Sequence, residues 1–420
     1  MTGKEKEAKN LAISGKVVIF ACSMKNFGLL PRIIIAIVLG ILLAHVLPMG
    51  GVRLFITFNA IFGQLLGFLI PLIIIGLVTP AIGDIGNRAG RLLLATVAVA
   101  YLDTVVSGLL AYGTGSLLFP RMVASVQTVA GVTEQAEAIA PYFTIKIPAL
   151  VDVMSALVLS FMLGLCIAHG SLPTLRRCAS EFRDVVTKVI AKLIIPLLPL
   201  YIFGIFLDMT VSGQTLRIVT VFAQVILVIF ALHLFILLYQ FCFAGFLAKR
   251  NPLKQLWRML PAYMTALGTS SSAATIPVTL RQTISNGVDE DIAGFTVPLC
   301  ATIHMSGSAM KITACALTIC MLEGITYDSG MFIHFILMLG VVMVAAPGVP
   351  GGAIMAALAP LGSILGFTAD QQALMIALYI AMDSFGTACN VTGDGAIAIV
   401  VDRLFNRRKS PAASGKMYQK

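Results

Sequence analysis

The chain has 420 residues, of which 58% are hydrophobic and only 11% are charged, with 29 Lys and Arg against 19 Asp and Glu. Soluble domains carry roughly 25% charged residues, so this composition excludes an ordinary soluble enzyme, and its hydrophobicity excludes a disordered chain. The apolar segments are apolar on all sides rather than alternating, which excludes a membrane β-barrel. The composition therefore predicts an all-α, polytopic membrane protein.

Six apolar runs precede residue 250. A membrane-crossing helix needs about 20 mostly apolar residues. Runs of sufficient length occur near 29–48, 54–82, 92–119, 147–169, 185–209 and 216–248. Residues 1–28 precede them and are predicted to form a cytoplasmic N-terminal segment.

Basic residues cluster in the short connections between these runs. On the predicted topology, Arg53, Arg121, Lys146 and Arg217 fall on the opposite side, and Lys311 lies within an apolar segment. Because Lys and Arg accumulate in cytoplasmic loops, we expect a multi-pass protein of the cell (inner) membrane with both termini cytoplasmic. The net charge of +10 follows from this asymmetry, so no nucleic-acid partner is expected.

Two later segments are apolar at their ends and interrupted at their centres. Segment 252–286 has a Ser-rich middle, and segment 328–366 contains AAPGVPGGA, whose Pro and Gly residues break a helix. Irregular backbone at membrane depth is tolerated only where protein or a cavity covers it, so we predict two re-entrant hairpins. Each precedes a polar-studded helix, at 290–323 and 370–407, and 408–420 forms a cytoplasmic tail. Such paired interruptions indicate a transporter binding site.

The last predicted helix carries two acids on one stripe. At about 100° per residue, Asp383, Thr387, Asn390 and Asp394 fall within about 60° of one another on an otherwise apolar helix. A carboxylate at the membrane centre costs at least ~2.5–3.5 kcal/mol. The stripe therefore predicts coordination of a cation and a ligand, and the alternative is a structural polar seam to a neighbouring helix.

The helix at 290–323 carries polar residues at helical spacing. His304, Ser308 and Lys311 would align on a regular helix, and Gly307 would let the helix open and expose carbonyl groups. A buried lysine needs a partner. Asp103, in the third run, is a candidate partner for Lys311 or a further cation ligand, and His304 is equally well read as a satisfied core histidine.

The predicted hairpins supply receptors for an anion. Half-helix N-termini carry partial positive charge that suits a carboxylate, and Ser270, Ser271 and Ser272 add hydroxyl donors. Asp383 suits an ammonium group, and Asp394 suits a hard cation such as sodium. No phosphate-binding loop or zinc-protease motif occurs, so we expect a cation-coupled amino-acid carrier and not an enzyme.

These segments resemble the dicarboxylate/amino acid:cation symporter family, which includes the glutamate transporters. Residues 270–279 (SSSAATIPVT) resemble its first hairpin, 302–307 (TIHMSG) its seventh-helix break, 348–351 (GVPG) its second hairpin tip, and 383–394 (DSFGTACNVTGD) its eighth-helix signature. The resemblance implies eight transmembrane helices plus two re-entrant hairpins with inverted repeats, and a homotrimer working as an elevator. Residues 29–248 would form mostly scaffold, with helices 3 and 6 contributing to the transport domain.

The resemblance also implies roles for individual residues. The substrate would be bound by Ser270, Ser271, Ser272, Ser308, Asp383, Thr387 and Asn390, with Val349 closing the gate and Gly386 lining the pocket. Sodium ions would be bound by Asp394 with Asn390 and carbonyls near Cys300 and His304, and by Thr302 with the second hairpin, while Tyr101 and Thr104 resemble part of a third site. Asp103 and Ser306 are further candidate cation ligands beside that third site. Sodium is expected as coupling ion, and no other cofactor is expected.

Three departures from the family pattern bear on the substrate. Members that carry acidic substrates have an arginine where this chain has Gly386, so the sequence predicts a small neutral substrate. Ser306 and His304 stand where the family usually has Asp and Asn, which resembles the serine/threonine branch and weakens one sodium site. Either Asp103 replaces the missing carboxylate or Lys311 replaces the ion.

The sequence therefore predicts a sodium-coupled symporter for a small neutral amino acid such as Ser, Thr or Ala. The nearest alternative is the same fold carrying acidic amino acids or dicarboxylates with sodium or protons. An alternative of another class is an anion channel, because a basic residue in a polar seam can pass anions.

Overall fold

The structure, a computed structural model, describes residues 29–87, 91–129, 139–213, 215–346 and 351–406. Within these ranges all regular elements are helices. The first half comprises α1 (Leu29–Ala44), α2 (Met49–Asn87), α3 (Arg91–Val129), α4 (Val153–His169), α5 (Pro173–Val189), α6 (Ile195–Val211) and α7 (Thr215–Ala248). A five-residue π-helical turn, Ile190–Ile194, joins α5 to α6.

The second half consists of shorter helices separated by breaks. They are α8 (Pro252–Arg258), α9 (Leu260–Thr269), α10 (Ser272–Ser285), α11 (Glu290–Ile303), α12 (Ser306–Glu323), α13 (Ser329–Val344), α14 (Gly352–Ser363), α15 (Ala369–Ala381) and α16 (Asp383–Asn406). The predicted interruptions at 252–286 and 328–366 coincide with the gaps between α9 and α10 and between α13 and α14.

Several helix boundaries differ from the sequence predictions. The basic connection between the predicted runs 147–169 and 185–209 is itself helical as part of α5, which starts at Pro173 because the fixed backbone of proline suits the first helical position. The run predicted from 147 becomes helical only at Val153, where the Asp152 side chain caps the helix by accepting a hydrogen bond from the Ser155 N–H. Single helices predicted at 290–323 and 370–407 are each broken in two, at 304–305 and at Met382.

Helices long and apolar enough to cross a membrane number six among the described residues. They are Met49–Pro80, Arg91–Ala124, Pro173–Val211, Ile218–Ala248, Glu290–Glu323 and Asp383–Phe405. Shorter apolar helices lie at Pro31–Ala44, Val158–His169, Ser329–Val344 and Gly352–Ser363. The fold is therefore that of a multi-pass helical membrane protein, and the arrangement of eight spans with two hairpins stays a prediction.

The helices form two packed groups. α2 packs against α4, α5 and α6, and α1 packs against α6. α16 is surrounded by α7, α9, α10, α11 and α12, while α3 packs along α12 and also touches α7, α11 and α13. The last helix is thus enclosed by protein rather than by lipid, and its polar stripe must be satisfied by neighbouring helices.

The described residues at the two breaks have different backbone conformations. Between α9 and α10, Ser270 adopts a left-handed conformation (φ 49°, ψ 27°) and Ser271 caps α10 by accepting a hydrogen bond from the Ala274 N–H. α14 begins after Gly351, which has φ +75°, a region that favours glycine because it has no Cβ. Both breaks therefore present the N-terminus of a half-helix.

Candidate functional site

The acid-bearing stripe of α16 faces the protein interior. Asp383, Thr387, Asn390 and Asp394 are 5%, 6%, 4% and 1% exposed, respectively. An uncompensated buried carboxylate is strongly unfavourable, so the two acids must be neutralised by groups on the surrounding helices. Each acid meets a different basic residue from the broken helix pair α11–α12.

Asp383 lies where three other elements meet. Its Oδ2 accepts a hydrogen bond from the backbone N–H of Gly351 at 2.9 Å, which ties the start of α14 to α16. Its Oδ1 lies 3.7 Å from Nζ of Lys311 on α12, and that ammonium also lies over the ring of Tyr379 on α15. Asp383 is therefore contacted by the start of α14 and by α12, and Lys311 links it to α15.

Lys311 fills the space beside Gly386. A Cβ placed on Gly386 would lie 2.5 Å from both Cε and Nζ of Lys311, so any side chain here would require the end of Lys311 to shift. Gly386 itself carries no charge, but α12 places the Lys311 ammonium at this position. The open question about Lys311 is also answered: its carboxylate partner is Asp383, while Asp103 pairs with His304.

The Lys311 ammonium has two further contacts besides Asp383. It donates to the Met382 carbonyl at 3.3 Å, which is exposed for bonding by the break between α15 and α16. It also lies 3.7 Å from the centre of the Tyr379 ring, a distance at which a cation is attracted to the ring face. The lysine is 0% exposed, so these protein contacts replace its hydration.

His304 bridges two carboxylates. Its Nδ1 lies 2.9 Å from Oδ1 of Asp394 on α16, and its Nε2 lies 2.8 Å from Oδ2 of Asp103 on α3. Gln240 on α7 joins the cluster through Asp103: its Nε2 donates to Asp103 Oδ2 at 2.6 Å and to Ser306 Oγ at 3.2 Å. The break at 304–305 turns the imidazole out of the α11–α12 axis and into this cluster.

Both His304 contacts require a proton. A neutral imidazole has a single N–H donor, so two hydrogen bonds to ionised carboxylates are possible only for an imidazolium; otherwise one carboxyl group carries the proton. In either arrangement the cluster of Asp103, His304 and Asp394 holds one proton more than two carboxylates and a neutral ring would. His304 is thus a buried histidine with both ring nitrogens hydrogen-bonded, and its two partners are themselves predicted cation ligands.

Asn390 fastens α16 to the break in the α11–α12 pair. Its Oδ1 accepts from the backbone N–H groups of Gly307 at 2.8 Å and Ser308 at 3.3 Å, and its Nδ2 donates to Ser308 Oγ at 3.0 Å. Ser308 Oγ is also 2.9 Å from the Tyr379 hydroxyl. Asn390 thus lies between the two carboxylates of its own helix, one turn before Asp394, and its amide oxygen is engaged by the backbone.

Asp394 retains an oxygen that suits a cation. Its Oδ2 is buried and has no hydrogen-bond partner within the described part of the chain. An anionic oxygen left without a donor is costly, whereas a hard cation is coordinated by such oxygens. The fit of Asp394 to the sodium site predicted there is good, and that of Asn390 is weaker because its Oδ1 already accepts two hydrogen bonds.

The remaining predicted cation ligands are spread along α3 and α11. Thr104 donates to the Ala100 carbonyl and accepts from the Met305 N–H at 3.4 Å, which places it at the break. The Tyr101 hydroxyl donates to the Leu337 carbonyl on α13 at 3.2 Å. Cys300 is buried and its carbonyl caps the end of α11, whereas Thr302 is exposed and bonds the Leu299 carbonyl.

The serine-rich break reaches α16 next to Asp383. Ser270 Oγ lies 2.6 Å from Ser384 Oγ, Ser271 caps α10, and Ser272 is 7% exposed at the first turn of α10. Both half-helix starts therefore approach one point of α16, because Gly351 contacts Asp383 and Ser270 contacts its neighbour. Val349 lies outside the described residues.

Several polar groups at the site were not predicted from the sequence. Gln240 and His233 lie in the apolar helix α7, where His233 Nε2 is 3.1 Å from the Gly307 carbonyl; a polar side chain in a membrane helix is itself a signal. Tyr379 and the Met382 carbonyl contact Lys311 next to the helix break at Met382. No proline or glycine marks that break in the local sequence, so it was not predicted.

The fold and site together define a multi-pass helical membrane protein with a buried, internally paired charge cluster between two helix breaks. The family model of the sodium:dicarboxylate symporter family matches residues 29–404. Because the match covers most of the chain, the protein belongs to this family, whose members are membrane symporters and not enzymes.

Individual relatives point the same way. The chain is 30% identical over 265 residues to excitatory amino acid transporter 1 of Rattus norvegicus, covering 60% of this chain and 47% of the relative. It is 27% identical over 254 residues to excitatory amino acid transporter 2 of Mus musculus, covering 59% and 44%. These matches span less than half the length of the relatives.

Proposed function

We propose that the protein is a secondary active, sodium-coupled symporter that imports a small neutral amino acid resembling Ser, Thr or Ala. The observation that carries the proposal is the approach of two helix breaks to one point of α16, where Gly351 N–H bonds the buried Asp383 and Ser270 bonds the neighbouring Ser384. A carboxylate beside two such N-termini suits a zwitterion, whose ammonium meets the acid and whose carboxylate meets the N–H groups and hydroxyls.

Sodium coupling is supported by the family and by the second acid of α16. Asp394 Oδ2 is buried without a hydrogen-bond partner among the described residues, and Asn390 and the backbone of the α11–α12 break lie next to it. A cation bound there would stabilise the arrangement of α11, α12 and α16 that also shapes the surroundings of Asp383. Sodium and substrate would then favour each other's binding by linkage.

The proposal includes the larger architecture. Helices α1, α2 and α4–α6 would form the scaffold of a homotrimer, and α9–α16, with α3 and α7, would move as an elevator carrying the site across the inner membrane, with both termini cytoplasmic. The packing of α16 against α7 and α9–α12 supports the movement of these helices as one body.

A second substrate class is favoured by a specific observation. Lys311 Nζ lies where a side chain at Gly386 would begin, so a cation is present to pair with a second substrate carboxylate. The family name includes dicarboxylates, and the relatives are named as transporters of excitatory amino acids. An acidic amino acid or a dicarboxylate is therefore the second candidate.

Uptake into proteoliposomes tests both candidates. Labelled Ser, Thr, Ala, Asp, Glu and succinate are offered under separately imposed sodium and proton gradients. We expect saturable accumulation of Ser, Thr or Ala that needs the sodium gradient. Accumulation of Asp, Glu or succinate instead supports the second candidate, and a current proportional to chloride without accumulation would identify an anion channel.

A further inference from the structure

Lys311 differs from the other charged groups of the site in how it is held. Its ammonium has two neutral anchors, the Met382 carbonyl at 3.3 Å and the Tyr379 ring centre at 3.7 Å. Its distance to Asp383 Oδ1, also 3.7 Å, exceeds that of a hydrogen bond. The lysine thus neutralises the carboxylate electrostatically while its position is set by other groups, so Asp383 can exchange this partner for another cation without releasing the lysine.

A carrier of this kind must cross the membrane twice in each cycle, once loaded and once empty. In the loaded carrier the substrate ammonium would neutralise Asp383. In the empty carrier that ammonium is missing, and an unpaired carboxylate would cross the membrane interior. A single such charge reduces the population of the intermediate by roughly 50-fold or more on insertion scales.

We propose that Lys311 is a tethered counter-ion for Asp383, which takes the place of the substrate ammonium and so permits the empty carrier to return. This inference rests on the proposed function and adds to it a residue that controls one half of the cycle. On binding, the zwitterion would insert beside the Lys311–Asp383 pair, with its ammonium on Asp383. The pair is then neutral with and without substrate, and the coupling ions alone bring net charge.

The carboxylate that Lys311 neutralises also accepts a hydrogen bond from the Gly351 N–H at the start of α14. Because Asp383 is neutralised by Lys311 and remains hydrogen-bonded to Gly351, the start of α14 stays in contact with α16 in the absence of a substrate ammonium.

Exchange and net uptake separate this role from a role in substrate binding. Exchange of external for internal labelled substrate uses only the loaded carrier, whereas net uptake also needs the empty carrier. In Lys311→Gln, which keeps a donor for the Met382 carbonyl and loses the charge, we expect net uptake at saturating substrate to fall at least tenfold more than exchange. Lys311→Arg, which keeps the charge, should restore part of the net uptake.

Controls make the outcomes distinct. Lys254→Gln removes an exposed lysine on α8 and should leave the ratio of exchange to net uptake at the wild-type value. If Lys311→Gln does not fold, as judged by its elution and thermal unfolding in detergent, Lys311→Met gives the same comparison. An equal fall of exchange and net uptake, or no fall in either, overturns the inference. A wild-type protein that neither accumulates nor exchanges any substrate contradicts the proposed function itself.

Discussion

The two acids of α16 are neutralised by the same broken helix pair in two different ways. Asp383 lies 3.7 Å from the ammonium of Lys311, which is at the end of a flexible side chain, and it accepts a hydrogen bond from the Gly351 N–H at the second helix break. Asp394 meets His304 at 2.9 Å, and that ring is fixed from its other side by Asp103. The first site is built around an exchangeable cation, and the second around an imidazole held between two carboxyl groups.

This difference separates two tasks. If Asp383 binds the substrate ammonium, it must give up its contact with Lys311 when the substrate arrives. A lysine that is 3.7 Å away and not hydrogen-bonded to the carboxylate permits this exchange. The second site instead locks α3, α11 and α16 together through one imidazole, and the carboxylate oxygen Asp394 Oδ2 has no hydrogen-bond partner in the described structure. The two acids lie about 16 Å apart along the helix axis, so one helix can serve both tasks.

The largest expected effect is at Asp383. In Asp383→Asn the receptor for the substrate ammonium is lost and Lys311 is left without its carboxylate, and breaking a buried ion pair in this way costs roughly 3–5 kcal/mol. We expect amino-acid uptake in proteoliposomes to be abolished while assembly, measured by light scattering after gel filtration, is unchanged. Asp402→Asn, on the same helix but outside the site, is the control. Uptake by Asp383→Asn at wild-type affinity would refute the assignment.

A strong effect is also expected at Gly386. Gly386→Arg places a second cation and a side chain where Lys311 already lies, since a Cβ there would be 2.5 Å from Nζ. Overpacking alone costs about 1–3 kcal/mol, so we expect uptake of all substrates to fall about tenfold or more. The double variant Gly386→Arg/Lys311→Ala should recover uptake with a preference for Asp or Glu. A single variant that already transports Glu well would mean that Lys311 moves aside freely.

The residues around Gly386 also show how far sequence reasoning reaches. The two interruptions and the one-sided acid stripe follow from local composition, and the structure has breaks at both places and a buried stripe. The position of Lys311 does not follow, because it depends on which face of α12 meets α16. The break at Met382 and the partnership of Gln240 with Asp103 likewise arise from packing between helices that are far apart in sequence.

A change in coupling is expected at His304. In His304→Asn the imidazole between Asp103 and Asp394 is lost together with the extra proton of the cluster, so the part-buried Asp103 and the buried Asp394 need positive charge from elsewhere. We expect one additional sodium ion to be bound per substrate, measured from the substrate gradient at which flux reverses. His233→Asn, a change at a buried histidine that contacts the Gly307 carbonyl, should leave the stoichiometry unchanged. The same stoichiometry in His304→Asn and wild type would show that the bridge does not occupy the place of an ion.

The smallest effect is expected at the contact between the serine-rich break and α16. Ser384→Ala removes the 2.6 Å hydrogen bond to Ser270 and leaves both acids with their partners. One neutral hydrogen bond contributes about 0.5–1.5 kcal/mol, so we expect the substrate concentration for half-maximal uptake to rise about 2- to 10-fold.

Thr392→Val is the matched control for Ser384→Ala, because the buried Thr392 hydroxyl on the same helix has no hydrogen-bond partner in the described structure. Its half-maximal concentration should stay at the wild-type value. If Ser384→Ala behaves like this control, the first break does not hold the Asp383 side of the site, and the Lys311–Asp383 pair is positioned by Gly351, Tyr379 and the Met382 carbonyl.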